Sequence, residues 1–399
     1  MSGRDPHERG RVATSLELFF DLTFVVVFSL TGVQFADHLA EAHYEAALLG
    51  FGFCGFAAVW AWINFTWAAS AFDTDDWLFR VMTMVQMLGV CILALGAEPL
   101  FASLAAHENP NNRVIVLGYV VMRVAMLGQW IRVAVSSPEY RAAALRYIVC
   151  LSVAQIGWVA AAVVEVPLAA LVPISAALYV VELGGPVLAE RACRTPWHPH
   201  HIAERYGALT IVTLGEGIVG TVAALQAAVS ERGWSVDAVV LGFAALAINL
   251  ALWWVYFAVP MGDALHLQRH RAFVWGYGHI VVFLALAAFG AGLHVAALNM
   301  EHHSAIAPTV VMAAIVVPTA VYLVALSAIS WYLTGFDGRC LAADTVGLVV
   351  LGVAVAAVAG GLSLVAGIVV VAVAPIITVI VDEVSGSGRR IERLAARAA

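Results

Sequence analysis

Lysine is missing altogether from this chain of 399 residues, so its 20 basic residues are all arginine. Charge of either sign is scarce: Asp, Glu and Arg make up 12% of the residues, about half the share of a soluble domain, while 62% are hydrophobic. Such a composition excludes a water-soluble globular fold and predicts a polytopic membrane protein whose first partner is lipid. The formal net charge of −7 is too small and too dispersed to suggest a nucleic-acid partner. Cysteine is sparse as well. Cys54, Cys91, Cys150, Cys193 and Cys340 stand alone with no CxxC spacing, so neither a disulfide framework nor a zinc site is indicated and they read as core residues. No nucleophile–base constellation, HExxH, Gly-rich phosphate loop or His/Asp ligand set occurs, so neither enzyme activity nor a cofactor is expected.

What fills the chain instead is apolar length. A spanning helix needs about 20 mostly apolar residues, and such runs cover roughly 16–36, 46–72, 77–97, 113–135, 143–164, 166–188, 201–229, 236–259, 273–298, 308–333, 341–359 and 361–381. The break at Gly360–Gly361 is required because Leu341 to Val381 is too long for one crossing. Met1 to Arg11 is polar, and the apolar run after it has no small-residue cleavage site, so the first segment is expected to be retained. Arginine placement fits this count, since short cytoplasmic loops are enriched in positive residues. With a cytoplasmic N-terminus, 17 arginines fall on that side, only Arg113 and Arg232 fall outside, and Arg123 lies within the membrane. Both termini are therefore expected in the cytoplasm.

An internal match sharpens the architecture. Glu17-LFFDLTFVVVFS aligns without a gap with Glu204-RYGALTIVTLGE, and weaker matches follow in the same order. The fold class expected is all-α, about 12 transmembrane helices as two parallel six-helix repeats. The expected organisation is an N-terminal segment 1–15, a first half 16–190, a loop 191–200, a second half 201–381 and an arginine-containing tail 382–399.

Ionisable residues inside apolar runs are expensive and mark functional sites by default. Glu17 and Asp21, four apart, share one face of the first helix; two such carboxylates could hold a cation or share a proton, while Glu17 alone also suits the first turn of a helix. Arg123 sits about 15 Å of helix from either end of its span, so it needs a buried partner. Glu216, at similar depth, is the partner expected, with Asp21 and Glu182 as rivals. Glu182 precedes Gly184-Gly185-Pro186, which is expected to break the sixth helix. Glu204 and Arg205 stand at a helix boundary, where charges are cheap and suit capping and orienting the helix. His279 lies about two turns inside the ninth helix and suits either a proton relay or hydrogen-bonded packing. The remaining polar clusters read as surface features: Trp60, Trp62 and Trp67 as interfacial anchors, Asp76–Arg80 as a local i, i+4 pair, and His198, His200 and His201 as a solvated loop.

Glu17-LFFDL-Leu22, Trp60-AWINFTWAASAFDTDD-Asp76, Gly118-YVVMR-Arg123 and His201-IAERYGALTIVTLGE-Glu216 together resemble the successive motifs of the bacterial low temperature requirement A (LtrA) family. The resemblance implies a polytopic protein of a bacterial inner membrane, linked by name to growth in the cold. The residues themselves favour a secondary transporter, ion- or proton-coupled, carrying a small solute or ion along Glu17, Asp21, Arg123, Glu182, Glu204, Arg205, Glu216 and His279. An ion channel and a non-transporting membrane scaffold are the alternatives.

Overall fold

The computed structural model describes residues 1–8, 10–385 and 395. The described residues are helical throughout the apolar runs and contain no strand. A backbone in hydrocarbon has no water to bond with, so each crossing must satisfy its N–H and C=O groups internally. Among the described residues 12 helices are long and apolar enough to span: α1 (Ser15–Ala40), α2 (Tyr44–Phe72), α3 (Trp77–Ala105), α4 (Arg113–Ser136), α5 (Pro138–Val163), α6 (Leu168–Ala192), α7 (Pro199–Glu231), α8 (Val236–Leu267), α9 (Arg269–Met300), α10 (Pro308–Thr334), α11 (Gly338–Ala359) and α12 (Leu364–Val384). The count matches the sequence reading. The predicted break holds, with Gly361 turning the chain at φ +99° between α11 and α12. Most of the arginine-containing tail lies outside the described residues.

One expected break is absent. α6 runs through Gly184, Gly185 and Pro186 without interruption and also contains Pro173. Proline is tolerated inside spanning helices because neighbouring groups take up the freed carbonyl. Gly185 instead serves close packing, since a Cβ there would lie 2.9 Å from Cys150 Cβ on α5.

The chain forms two compact units. Unit 1 comprises Met1–Thr31 and Leu48–Arg205, and unit 2 comprises Gly32–Ala47 and Tyr206–Ala399. In unit 1, α3 packs on α4 at paired glycines: a Cβ on Gly118 would sit 2.4 Å from Leu93 N, and one on Gly89 would meet Met122 Cγ at 2.5 Å. In unit 2, α9 packs on α10 in the same way, with Gly292 against the Ala314 carbonyl. Small residues are the usual device for bringing helices together where lipid is as apolar as leucine.

Several threonines on the spans are satisfied within their own helix. Thr210, Thr213 and Thr221 of α7 donate to the carbonyls of Tyr206, Leu209 and Gly217 at 2.9, 3.0 and 2.7 Å. Asp76 caps α3 by accepting from Phe79 N at 2.9 Å, and Ser235 caps α8 by accepting from Ala238 N at 3.2 Å. Both leave few orphan amides at a membrane boundary.

Candidate functional site

The start of α1 is fixed by a capping box. Thr14 Oγ1 accepts from Glu17 N at 3.2 Å, and Glu17 Oε2 accepts from Thr14 N at 2.9 Å. That places Glu17 in the first turn and Asp21 one turn deeper on the same face. The first two turns of α7 present His201 and Arg205 at the same i, i+4 spacing.

Arg205 forks onto Asp21, with Nε 3.0 Å from Oδ2 and Nη2 2.5 Å from Oδ1, while its Nη1 donates to Glu17 Oε1 at 2.8 Å. His201 Nε2 lies 3.2 Å from Glu17 Oε2. Trp62 of α2 donates its indole N–H to Asp21 Oδ1 at 2.6 Å. The Arg205 side chain is 0% exposed, as are Glu17 and His201, and Asp21 is 1% exposed. All five residues belong to unit 1. Glu204 does not join them but accepts from Ala13 N at 3.2 Å, tying down the chain before α1.

A second buried cluster lies in the same unit. Arg123 donates to Glu182 Oε2 at 2.8 Å and contacts the Tyr119 hydroxyl one turn away. Tyr119 donates to Glu182 Oε1 at 3.2 Å, and Trp60 donates its indole N–H to Glu182 Oε2 at 2.8 Å. The pair is 2% and 1% exposed. Trp60 and Trp62 are two residues apart, so their rings leave α2 about 200° apart. One helix thus serves both clusters from opposite sides.

These contacts correct several expectations. Arg123 finds Glu182, one of the rivals, rather than Glu216. Arg205 is not an interfacial charge but a fully buried one, because the capping box delivers two carboxylates to it. Trp60 and Trp62 are 0% exposed and act as donors instead of anchors. His201 and His198 are buried, not solvated; His198 Nδ1 accepts from His201 N at 3.2 Å, and its Nε2 lies 3.0 Å from the Glu8 carbonyl. Sequence reasoning missed Trp60, Trp62, Tyr119 and His201. The available signal was helical spacing: Tyr119–Arg123 and His201–Arg205 are both i, i+4.

The acidic loop after α2 also differs from expectation. Arg80 pairs with Asp75 through two 2.8 Å bonds, and Asp76 pairs with Arg132 at 2.6 Å. Hydrogen bonds from Arg80 and Arg132 hold the Asp75 and Asp76 carboxyls below the usual range. Burial, reinforced by the Glu17 charge, pushes Asp73 up.

Glu216 and His279 sit in unit 2, in different surroundings. Glu216 is 9% exposed on α7, and a Cβ on Gly290 of α9 would lie 2.5 Å from its carbonyl carbon, so the two backbones touch. Asn249 of α8 packs against Gly217 and donates to Thr221 Oγ1 at 3.3 Å. His279 Nδ1 is 2.8 Å from the Trp275 carbonyl and Nε2 is 3.2 Å from the Tyr256 hydroxyl. A carbonyl only accepts, so Nδ1 carries the hydrogen and Nε2 accepts from Tyr256. The rings of Tyr206, Trp275 and Phe283 surround this imidazole.

The family model described as bacterial low temperature requirement A protein (LtrA) matches residues 12–381. That span includes both buried clusters and all 12 helices but for the last residues of α12, and the chain belongs to this family. No match is found among the curated proteins or the solved structures.

Proposed function

We propose that this member of the low temperature requirement A family is a proton-coupled secondary transporter whose coupling centre is Glu17, Asp21, His201 and Arg205. One observation carries the reading: two carboxylates and one guanidinium are fully buried together with a histidine. Inside the group two carboxylates face one guanidinium, with the buried Arg11 acting on Glu17 electrostatically from outside it, and buried charges are sensitive to any change in their partners. The His201 imidazole lies 3.2 Å from Glu17 Oε2, where a proton entering the group would meet both side chains. Loss of that proton would load the cluster with a charge that only a rearrangement or a replacing cation can relieve, which is what coupling a proton to a transport cycle requires.

Arg123 and Glu182 are charge-balanced, and in this reading they hold α4, α6 and α2 in register. Glu216, whose neighbouring glycines admit another helix, is a solute- or ion-path residue. Both termini face the cytoplasm of a bacterial inner membrane, and 16–190 and 201–381 are two parallel six-helix halves. Support for the halves comes from the ungapped match of residues 17–29 with 204–216. A non-transporting scaffold is the second reading, favoured by the balanced and buried Arg123–Glu182 pair.

The test needs no knowledge of the solute. Proteoliposomes on a solid-supported membrane are given a rapid drop from alkaline to mildly acidic pH. Wild-type protein should show a transient charge displacement, and the Glu17→Gln/His201→Gln double variant should lose it while remaining monodisperse. A folded wild type that moves no charge would sink proton coupling and leave the scaffold.

A further inference from the structure

We propose that the turn joining α1 to α2 is a divalent-metal site of the zinc class, formed by His38, Glu41 and His43. The site lies wholly within unit 2 and is independent of the transport reading. One ligand atom from each of the three side chains lies within 4.8 Å of the other two. His43 Nδ1 and Glu41 Oε2 are already 3.4 Å apart, the separation of two ligands about 2.1 Å from one tetrahedral ion. The His38 and His43 rings are 5.8 Å apart, where two imidazoles on one tetrahedral metal need roughly 5 Å. Closure therefore requires only small side-chain rotations.

The backbone prepares this arrangement. His43 N donates to His38 O at 2.8 Å and Ala42 N donates to Leu39 O at 3.0 Å, which is a Schellman ending with Ala42 as its left-handed residue. Ala42 takes φ 66°, the left-handed conformation that residues with a Cβ rarely adopt. This motif brings together the side chains of the third residue from the helix end and the second residue beyond it, and an apolar pair is usual there. Here both positions are histidine. Glu41, between them at the helix end, adds the carboxylate. Ala305 N donates to Ala40 O at 2.8 Å, tying the turn to the segment between α9 and α10.

Two imidazoles and one carboxylate are the ligand set of an open zinc site, with a fourth position left for water or another group. Asp37, adjacent to His38, interacts electrostatically with His38, Glu41 and His294 of α9. It adds a second carboxylate beside the three ligands. Hard cations such as Mg²⁺ prefer all-oxygen shells, so nitrogen donors select the zinc class.

The experiment titrates Zn²⁺ into the purified full-length chain, freed of any affinity tag and stripped of metal, against a chromophoric chelator. One equivalent should bind, and Co²⁺ should give the visible absorption of a tetrahedral site. His38→Gln, Glu41→Gln and His43→Gln should each weaken Zn²⁺ binding by about tenfold or more. All three positions are at least partly exposed, so the variants keep the elution profile of the wild type. His302→Gln/His303→Gln, which alters the other histidine pair on a helix-connecting turn, should leave the affinity unchanged. The proposal is overturned if wild type binds no Zn²⁺, if the three single variants bind it as wild type does, or if binding disappears with His302 and His303.

Discussion

Arg205 and Asp21 stand 184 positions apart in sequence, yet the guanidinium meets the carboxylate as a two-pronged fork in which both residues are buried. Its second arm reaches Glu17. This arrangement makes the three side chains one unit, whose parts cannot be removed separately without leaving a buried charge.

Arg205→Met should therefore be among the most damaging single changes, costing about 3–5 kcal/mol by stranding two carboxylates. Replacing the group together, as Glu17→Gln/Asp21→Asn/Arg205→Met, should recover most of the lost stability but none of the pH-driven charge displacement. Thermal unfolding in detergent, read beside the charge-displacement assay, separates the two effects. Equal melting temperatures for the single and the triple variant would contradict this.

Trp62→Phe retains the ring but removes the donor to Asp21. A hydrogen bond to a charged acceptor contributes about 1.5–3 kcal/mol, so a loss of stability of that order, read as a lower melting temperature, is expected. Trp67→Phe, which changes a half-buried ring stacked edge-on against Trp197 at 4.9 Å, should cost less. A larger loss from Trp67 would reverse the assignment of which tryptophan holds the site.

The Arg123–Glu182 pair should show strong coupling in a double-mutant cycle. Arg123→Gln and Glu182→Gln each leave the opposite charge buried, whereas the double variant leaves two neutral amides. The combined loss in stability should be clearly smaller than the sum of the single losses. Additive losses would mean that the two charges do not depend on each other.

Gly290→Ala places a methyl group 2.5 Å from the Glu216 carbonyl carbon, and the obstacle is backbone that cannot rotate away. A destabilisation of about 1–3 kcal/mol follows from overpacking of this kind. Gly352→Ala, where no atom lies within 4 Å, is the control and should be silent in the same melting experiment.

Below about pH 4 the loop after α2 should loosen. Hydrogen bonds, first from Arg132, hold the Asp76 carboxyl below its ordinary value. A carboxyl depressed on folding contributes stability above its unfolded pKa of about 4, and the contribution fades as pH falls through the lower folded value. Asp76→Asn keeps the helix cap but removes the titration, so its melting temperature should depend less on pH below about 4 than that of wild type. Parallel pH profiles would exclude Asp76 as a contributor.

The sequence by itself determined that this is a membrane protein with 12 crossings. Helix length and hydropathy are local properties, and the absence of water in the bilayer leaves the backbone no alternative to helix. It also determined that Arg123 had to be answered inside the protein, because a charge that deep cannot reach an interface. What it could not determine was which charge answers which. Arg123 is held by Glu182, with Trp60 and Tyr119 completing the shell, because partner choice depends on which helices adjoin and how each is rotated about its axis. The same rotation decided that Trp60 and Trp62 face buried carboxylates instead of lipid headgroups, and that Arg205, legible only as a boundary charge, becomes the buried centre of the site.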